Sequence, residues 1–421
     1  MLSAIAAAAD IASGRISSEE LTQACLARIA ERESEVRAWA WLSPEQAIAE
    51  ARARDREPRR GLLHGLPVAV KDIIDTADMP TEYGTPIYRG HCPRWDAACV
   101  VAVRDQGAVV LGKSVTTELA NRHPAGTRNP RNLNHTPGGS SSGSGAAVAD
   151  FMAPLAFGSQ TGGSLIRPAS YCGIVGYKPT FNFINPAGVK PLSASQDTVG
   201  VYGRTVPDAA LIGAAVIGYP ALDFDSKPGT APRIGMYRTP QWSLAEPALA
   251  AAFDASAGKL ARAGARVTQV VAPVLMDEII AAAGIINDYE TYRALAYERV
   301  RHADLLSPTL REKLDKAANV GRDRYLAALD TARACRALID EMFVDYDVLI
   351  APSATGEAPR GFESIGPAAF QQMWTILHTP AISVPVFTGP KGLPMGAQVI
   401  GARGHDERAL LCAHWVHQAL T

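Results

Sequence analysis

The serines best placed to do chemistry in this chain sit in two clusters of small residues, Gly138-Gly139-Ser140-Ser141-Ser142-Gly143-Ser144-Gly145 and Thr161-Gly162-Gly163-Ser164, with Ser140 and Ser164 24 positions apart. A serine hydroxyl is a poor nucleophile near neutral pH and needs a base within hydrogen-bond reach. Donors must also face the oxygen that becomes negative. Two glycines precede Ser164 and leave their backbone N–H groups unobstructed, so Thr161, Gly162 and Gly163 are the expected oxyanion donors. No histidine lies in either cluster, but Lys71 ends the apolar run Pro67-Val68-Ala69-Val70. As a base it must be neutral near pH 7, against an ordinary pKa of ~10.4, a difference worth roughly 4 kcal/mol that burial can supply. A buried Lys71 beside Ser140, with Ser140 bridging to Ser164, would carry a proton from the nucleophile and later return it to a leaving amine.

Those residues need strands and helices to hold them. Pro67 to Lys71 reads as a strand that delivers the lysine to a sheet rim. A helix follows around Ala97 to Arg104, then a short strand Ala108-Val109-Val110-Leu111 closing at Gly112-Lys113. Ala146 to Ala149 reads as helix and Ala153 to Phe157 as a strand running into the second cluster. Upstream, Met1 to Asp10 reads as a helix, and Ser17-Ser18-Glu19-Glu20 has capping-box spacing ahead of Leu21, Cys25 and Ile29 at helical period. Between Tyr219 and Ala231 the composition turns to Pro, Gly, Asp and Ser, the mark of a surface connection. Residues from about 244 to 343 are rich in Ala, Leu, Glu and Arg, and predict a mostly helical region shaping the pocket mouth, with Asn287-Asp288-Tyr289-Glu290 facing either ligand or solvent. Further strands are expected at 347–350, 381–386 and 397–400, and a closing helix from Glu407. The alternation implies an α/β fold: one large domain over 1–421, a twisted mixed β-sheet covered by helices on both faces.

Composition narrows the function. With 421 residues, 47% hydrophobic and 20% charged, the chain can bury a substantial core, which excludes a disordered or fibrous protein. A formal net charge of −1 without a polybasic block offers nothing to nucleic acid or an anionic membrane. A small-molecule substrate is the expected partner, and a homodimer is compatible with this composition. No run of about 18 apolar residues predicts a membrane span. Cys25, Cys92, Cys99, Cys172, Cys335 and Cys412 lack paired spacing, which suits reduced thiols and a cytoplasmic location. Cys172 reads as a packing residue, and Lys113 and Glu118 as scaffold or surface. His414 and His417 lack a third ligand nearby, so neither a metal nor a cofactor is expected. A phosphate-binding loop is the rival reading of the glycines, but no Lys-Ser/Thr pair follows at P-loop spacing.

These segments resemble the amidase signature family, from about residue 16 to the closing helix. Leu63 to Asp72 is similar to the segment with that family's catalytic lysine, and Pro137 to Ser144 to its glycine/serine hallmark, in which Ser140 matches the bridging cis-serine. Gly158 to Ser164, followed by Pro168-Ala169, matches the nucleophile segment. Gly176 to Thr180, Asp197 to Gly200 and Thr379 to Pro385 are similar to segments completing the core. The resemblance implies an amidase that opens a carbon–nitrogen acyl bond of a small amide through an acyl-enzyme on Ser164. A glutamine-hydrolysing subunit of a tRNA-dependent amidotransferase and a carbamate or urea-derivative hydrolase are its alternatives. Two departures stand out. Gln160 occupies a position where many members carry aspartate, and Arg167 falls one position later than the family's usual Ser-Ile-Arg. Gln160, Arg167 and Asp197 are expected to support the loop by hydrogen bonds.

Overall fold

Pro67 to Lys71 is buried at every position because it is paired on both sides, parallel to one strand along each edge, which fits its unbroken apolar character. A computed structural model describes residues 2–224 and 232–421, so part of the expected 219–231 connection, residues 225–231, lies outside the described residues. The strands are β1 (Trp39–Leu42), β2 (Pro67–Lys71), β3 (Val109–Ser114), β4 (Leu155–Gln160), β5 (Val175–Lys178), β6 (Thr198–Gly203), β7 (Arg233–Met236), β8 (Arg266–Gln269), β9 (Val348–Pro352), β10 (Ala381–Thr388) and β11 (Pro394–Ile400). Among the described residues they form one mixed sheet of 11 strands in the order β1-β3-β2-β4-β6-β5-β10-β11-β9-β7-β8.

Side-chain alternation divides the core between the two faces of this sheet. Val68, Val70, Leu155 and Phe157 point to one face, where helices Ala98–Asp105, Val206–Ile217, Pro247–Arg262 and Asp406–Leu420 pack. Ala69 and Ala156 point to the other, covered by Ser18–Val36, Ser142–Ala149, Ile279–Ala294, Arg322–Met342 and Gln372–Ile376. Lys71 shares the parity of Ala69, so it leaves the sheet on the face that carries the glycine/serine helix. β2 and β4 run parallel, and their carboxyl ends therefore bring Lys71 and the 161–164 loop to one rim of the sheet, the usual place for a crevice in open α/β sheets.

Two departures from the expected elements have local causes. β3 runs through Gly112 and Lys113 to Ser114 instead of closing there, because Gly112 and Lys113 pair with Leu42 and Trp41 of β1. The short strands β5 and β6 are not among the expected elements, because glycine breaks their apolar pattern. Gly200 is needed all the same, since a Cβ there would lie 2.5 Å from Leu165 Cδ1, next to Ser164. Within residues 244–343 the helices are interrupted by β8, which extends the edge of the sheet. No described helix is long and apolar enough to cross a membrane.

Candidate active site

Lys71 is fully buried, and its Nζ donates to Ser140 Oγ at 2.8 Å and to Ser159 Oγ at 2.7 Å. Among the described residues no carboxylate pairs with it, so burial dominates and lowers its pKa well below the ordinary lysine value, against a weaker opposing pull from Asp197. The amine therefore sheds its proton far more readily than a surface lysine, and two hydroxyl oxygens stand beside it.

The first cluster is sewn to the sheet by its own hydroxyls. Ser140 follows a cis peptide bond from Gly139. Ser141 Oγ accepts from Ser159 N at 3.2 Å, and Ser144 Oγ donates to Phe157 O at 2.8 Å while sharing a 2.7 Å bond with Ser114 Oγ. Every one of these groups is buried or nearly so, and each finds a partner, as buried polar atoms must. Gly143 lets the helix approach so closely that a Cβ would lie 2.2 Å from Ala38 O and 2.3 Å from Val115 N. Arg167 completes the turn by donating from Nη2 to Gly139 O. The late arginine of the sequence thus supports the residue that precedes Ser140.

Gln160 braces the second cluster with both ends of its amide. Its Oε1 accepts from Leu165 N and Ile166 N, both at 3.0 Å, while Nε2 donates to Thr375 Oγ1 at 3.0 Å, and Thr375 Oγ1 donates to Gly162 O at 3.1 Å. Asp197 ties down the start of the loop: Oδ1 accepts from Thr161 Oγ1 at 2.5 Å, and Oδ2 from Leu192 N at 2.7 Å and Ser193 N at 2.9 Å. Burial raises the Asp197 pKa, and these donors oppose that rise. The N–H groups of Gly162, Gly163 and Ser164 take no partner among the described residues, so they remain free to face a ligand.

The structure brings Lys71, Ser140, Thr161, Gly162, Gly163 and Ser164 to one place, with Gln160, Arg167 and Asp197 behind them. One expected link is not made. Ser164, 9% exposed, lines a cleft of about 520 Å³, and among the described residues its Oγ has no hydrogen-bond partner, whereas Ser140 is fully buried against the lysine. The Ser140–Ser164 bridge is therefore open, although the two segments touch through Ser141 N and Ser164 O at 3.2 Å. Catalytic hydrogen bonds often tighten only when substrate is bound.

Several groups around the site escape a reading of the sequence. Ser159 lies inside the matched nucleophile segment, but its role depends on β2 and β4 being neighbours, which no local pattern reveals. Glu290 turns from the helical cover toward the loop before Asp197: Ser193 Oγ, Ser195 N, Ser195 Oγ and Tyr325 Oη all donate to its carboxylate, at 2.6, 3.0, 2.5 and 2.8 Å. Of the expected 287–290 face, Asn287 lines the cleft and Glu290 latches the loop. Glu118 holds the other end of the cover by accepting from Ser307 N at 2.9 Å, and Lys113 is buried, donating to Ile74 O and Thr81 Oγ1. Cys172 is a packing residue, its thiol pushed up to about 12 by burial. Among the described residues no group of three His, Cys, Asp or Glu side chains could hold a metal ion.

Comparison with known proteins places this geometry among its relatives. The profile of the amidase family matches residues 20–410. The chain is 34% identical to the A subunit of the glutamyl-tRNA(Gln) amidotransferase of Acidothermus cellulolyticus, over 96% of this chain and 92% of that one. Among solved structures it is 31% identical to native peptide amidase from Stenotrophomonas maltophilia, with a TM-score of 0.85 over 99% of this chain and 96% of the other. A chain of a vestigial protein complex bearing on the origins of an s-triazine catabolic enzyme is 29% identical, with a TM-score of 0.89 over 99% and 98%.

Proposed function

The chain belongs to the amidase signature family of enzymes acting on carbon–nitrogen bonds, and from that premise we propose that it hydrolyses a small amide through an acyl-enzyme on Ser164. In this reading neutral Lys71 accepts a proton from Ser140, which takes the proton of Ser164 as the nucleophile's oxygen attacks the carbonyl carbon. The oxygen that becomes negative faces the N–H groups of Thr161, Gly162 and Gly163, of which those of the two glycines take no partner among the described residues. The proton returns by the same route to the nitrogen, the carbon–nitrogen bond breaks and amine leaves. Water then adds to the ester on Ser164 with the same groups acting in reverse, releasing the acid.

The observation that carries this reading is the enclosed Lys71 amine, bonded to the hydroxyls of Ser140 and Ser159 and to no carboxylate among the described residues. A structural lysine gains from ion pairing, whereas a proton acceptor has to be kept neutral. A turnover screen over primary amides, carbamates and urea derivatives tests it. Loss of activity in Ser164→Ala and in Lys71→Ala supports the reading, and normal turnover in both variants refutes it.

The amidotransferase relatives favour a second reading, in which this chain releases ammonia from glutamine for a partner. If the purified chain hydrolyses glutamine only after a companion chain is added, that reading replaces the stand-alone amidase. The absence of a disulfide among its six cysteines fits a reducing compartment such as the cytoplasm.

A further inference from the structure

The cleft that Ser164 lines also carries positive charge from Lys313 and Arg122 that the serine chemistry does not use. Lys313, on helix Pro308–Ala317, reaches the cleft and donates from Nζ to Asn121 Oδ1 and Asn287 Oδ1, both at 2.9 Å. Both partners are neutral amides, and among the described residues no carboxylate forms an ion pair with this ammonium. Arg122, next to Asn121, also lines the cleft and likewise has no ion-pair partner among the described residues. Arg167 adds a third positive charge, with Nη2 engaged by Gly139 O and Nε buried without a partner. Three cations thus line the cleft against one carboxylate, Glu363, which stands at the exposed rim with Oε2 accepting from Phe362 N. Asp288 and Asp197 attract Lys313 from a distance, but Asp197 is occupied by three donors of its own.

We propose that this cleft takes an amide that also carries a carboxylate, with Lys313 and Arg122 holding the negative charge while the carbonyl lies against Ser164. The inference rests on the amidase reading and names its substrate class. A cation kept in a pocket with neutral partners is costly to desolvate unless an anion completes it. Lys313 shows that cost, since burial pushes its pKa down to about 8. Asn121 and Asn287 fix the ammonium by two hydrogen bonds and leave its third proton for a ligand oxygen. A carboxylate there sets the reach of the substrate, so the pocket selects by the spacing between amide and acid as well as by charge.

Two measurements test this, and they fail separately from the amidase reading. In the first, kcat/KM is compared for succinamate and its uncharged isostere 4-methylpentanamide, together with homologues one and two methylenes longer. The expected preference for the acid is about 10- to 100-fold at its best chain length, carried by KM, and it collapses toward unity in Lys313→Gln and Arg122→Gln. Turnover of the neutral amides with no preference for any acid overturns the inference and leaves the amidase reading standing. In the second, Ser164→Ala protein is titrated calorimetrically with succinate, glutarate and adipate, and with the uncharged diamide succinamide. At least one dicarboxylate should bind more tightly than the diamide and should weaken about tenfold or more when Lys313→Gln is added. Equal binding of acid and diamide overturns the inference even if no amide is turned over.

Discussion

The two walls of the cleft are built by opposite means. The side with Ser164, backed by Lys71 and Ser140, is made mostly of glycine, serine and backbone, buried and joined to β2, β3 and β4 by hydroxyl bonds. The rest of the lining comes partly from Asn121 and Arg122 and partly from helices and loops further along the chain, with long charged side chains such as Lys313 and Arg122 and with Asn287. Short side chains such as those of the partnered serines around Ser164 lose little freedom on ordering, whereas long side chains reach and adapt. The first wall is suited to conserving one kind of chemistry, and the second to setting which molecule receives it.

Variants that cut into the rigid wall should cost most. Ser164→Ala removes the proposed attacking oxygen and should lower kcat by about 10⁴-fold or more in steady-state assays, with an unchanged circular dichroism spectrum. Lys71→Ala should follow at about 10³-fold, the scale of a lost general base. The pH profile gives its sign: in the proposed path the working form of Lys71 is neutral, and its pKa lies well below 10.5, so kcat/KM in the wild type should rise with pH and level off well before the ordinary lysine range. Activity that climbs only near pH ~10 would mean an unperturbed lysine.

Gln160→Ala sharpens the comparison from behind the wall. It leaves Leu165 N and Ile166 N without their acceptor, and should destabilise the fold by about 1–3 kcal/mol in denaturant titration while also lowering kcat. The smallest effect is expected where the two walls meet. Glu290→Gln keeps the shape but loses the charge that four donors share, and should reduce kcat by roughly 3- to 10-fold, because charge-assisted bonds exceed neutral ones by about that margin. An effect on KM alone would show instead that the latch shapes binding and leaves the oxyanion loop untouched.

The rigid wall is legible in sequence because its chemistry is local. Pro67 to Lys71, the two glycine clusters and Asp197 each announce themselves within ten residues, and parallel pairing of β2 with β4 does the rest. Gly112-Lys113 misleads because glycine suggests an end where β1 supplies a partner, and Gly176 and Gly200 hide two strands for the same reason. The rest of the lining cannot be read this way. Asn121, Asn287 and Lys313 meet only in three dimensions, although Lys313 leaves one trace: it flanks the buried face of Leu310, Leu314 and Ala317, where a charge needs a reason. Glu290 lies in the 287–290 stretch that the sequence leaves open between ligand and solvent, but its latch is not legible, since its partners Ser193 and Ser195 lie nearly a hundred positions away.

The proton path from Ser164 through Ser140 to Lys71 is tested most directly by the pH dependence of Ser164 phosphonylation. A fluorophosphonate is followed by intact mass spectrometry in the wild type and in Lys71→Ala. The wild-type rate should rise to a plateau well below the pKa of an ordinary lysine, and Lys71→Ala should label about 10³-fold more slowly with no such plateau. Equal rates and identical pH profiles in the two proteins would contradict the assignment of Lys71 as the base.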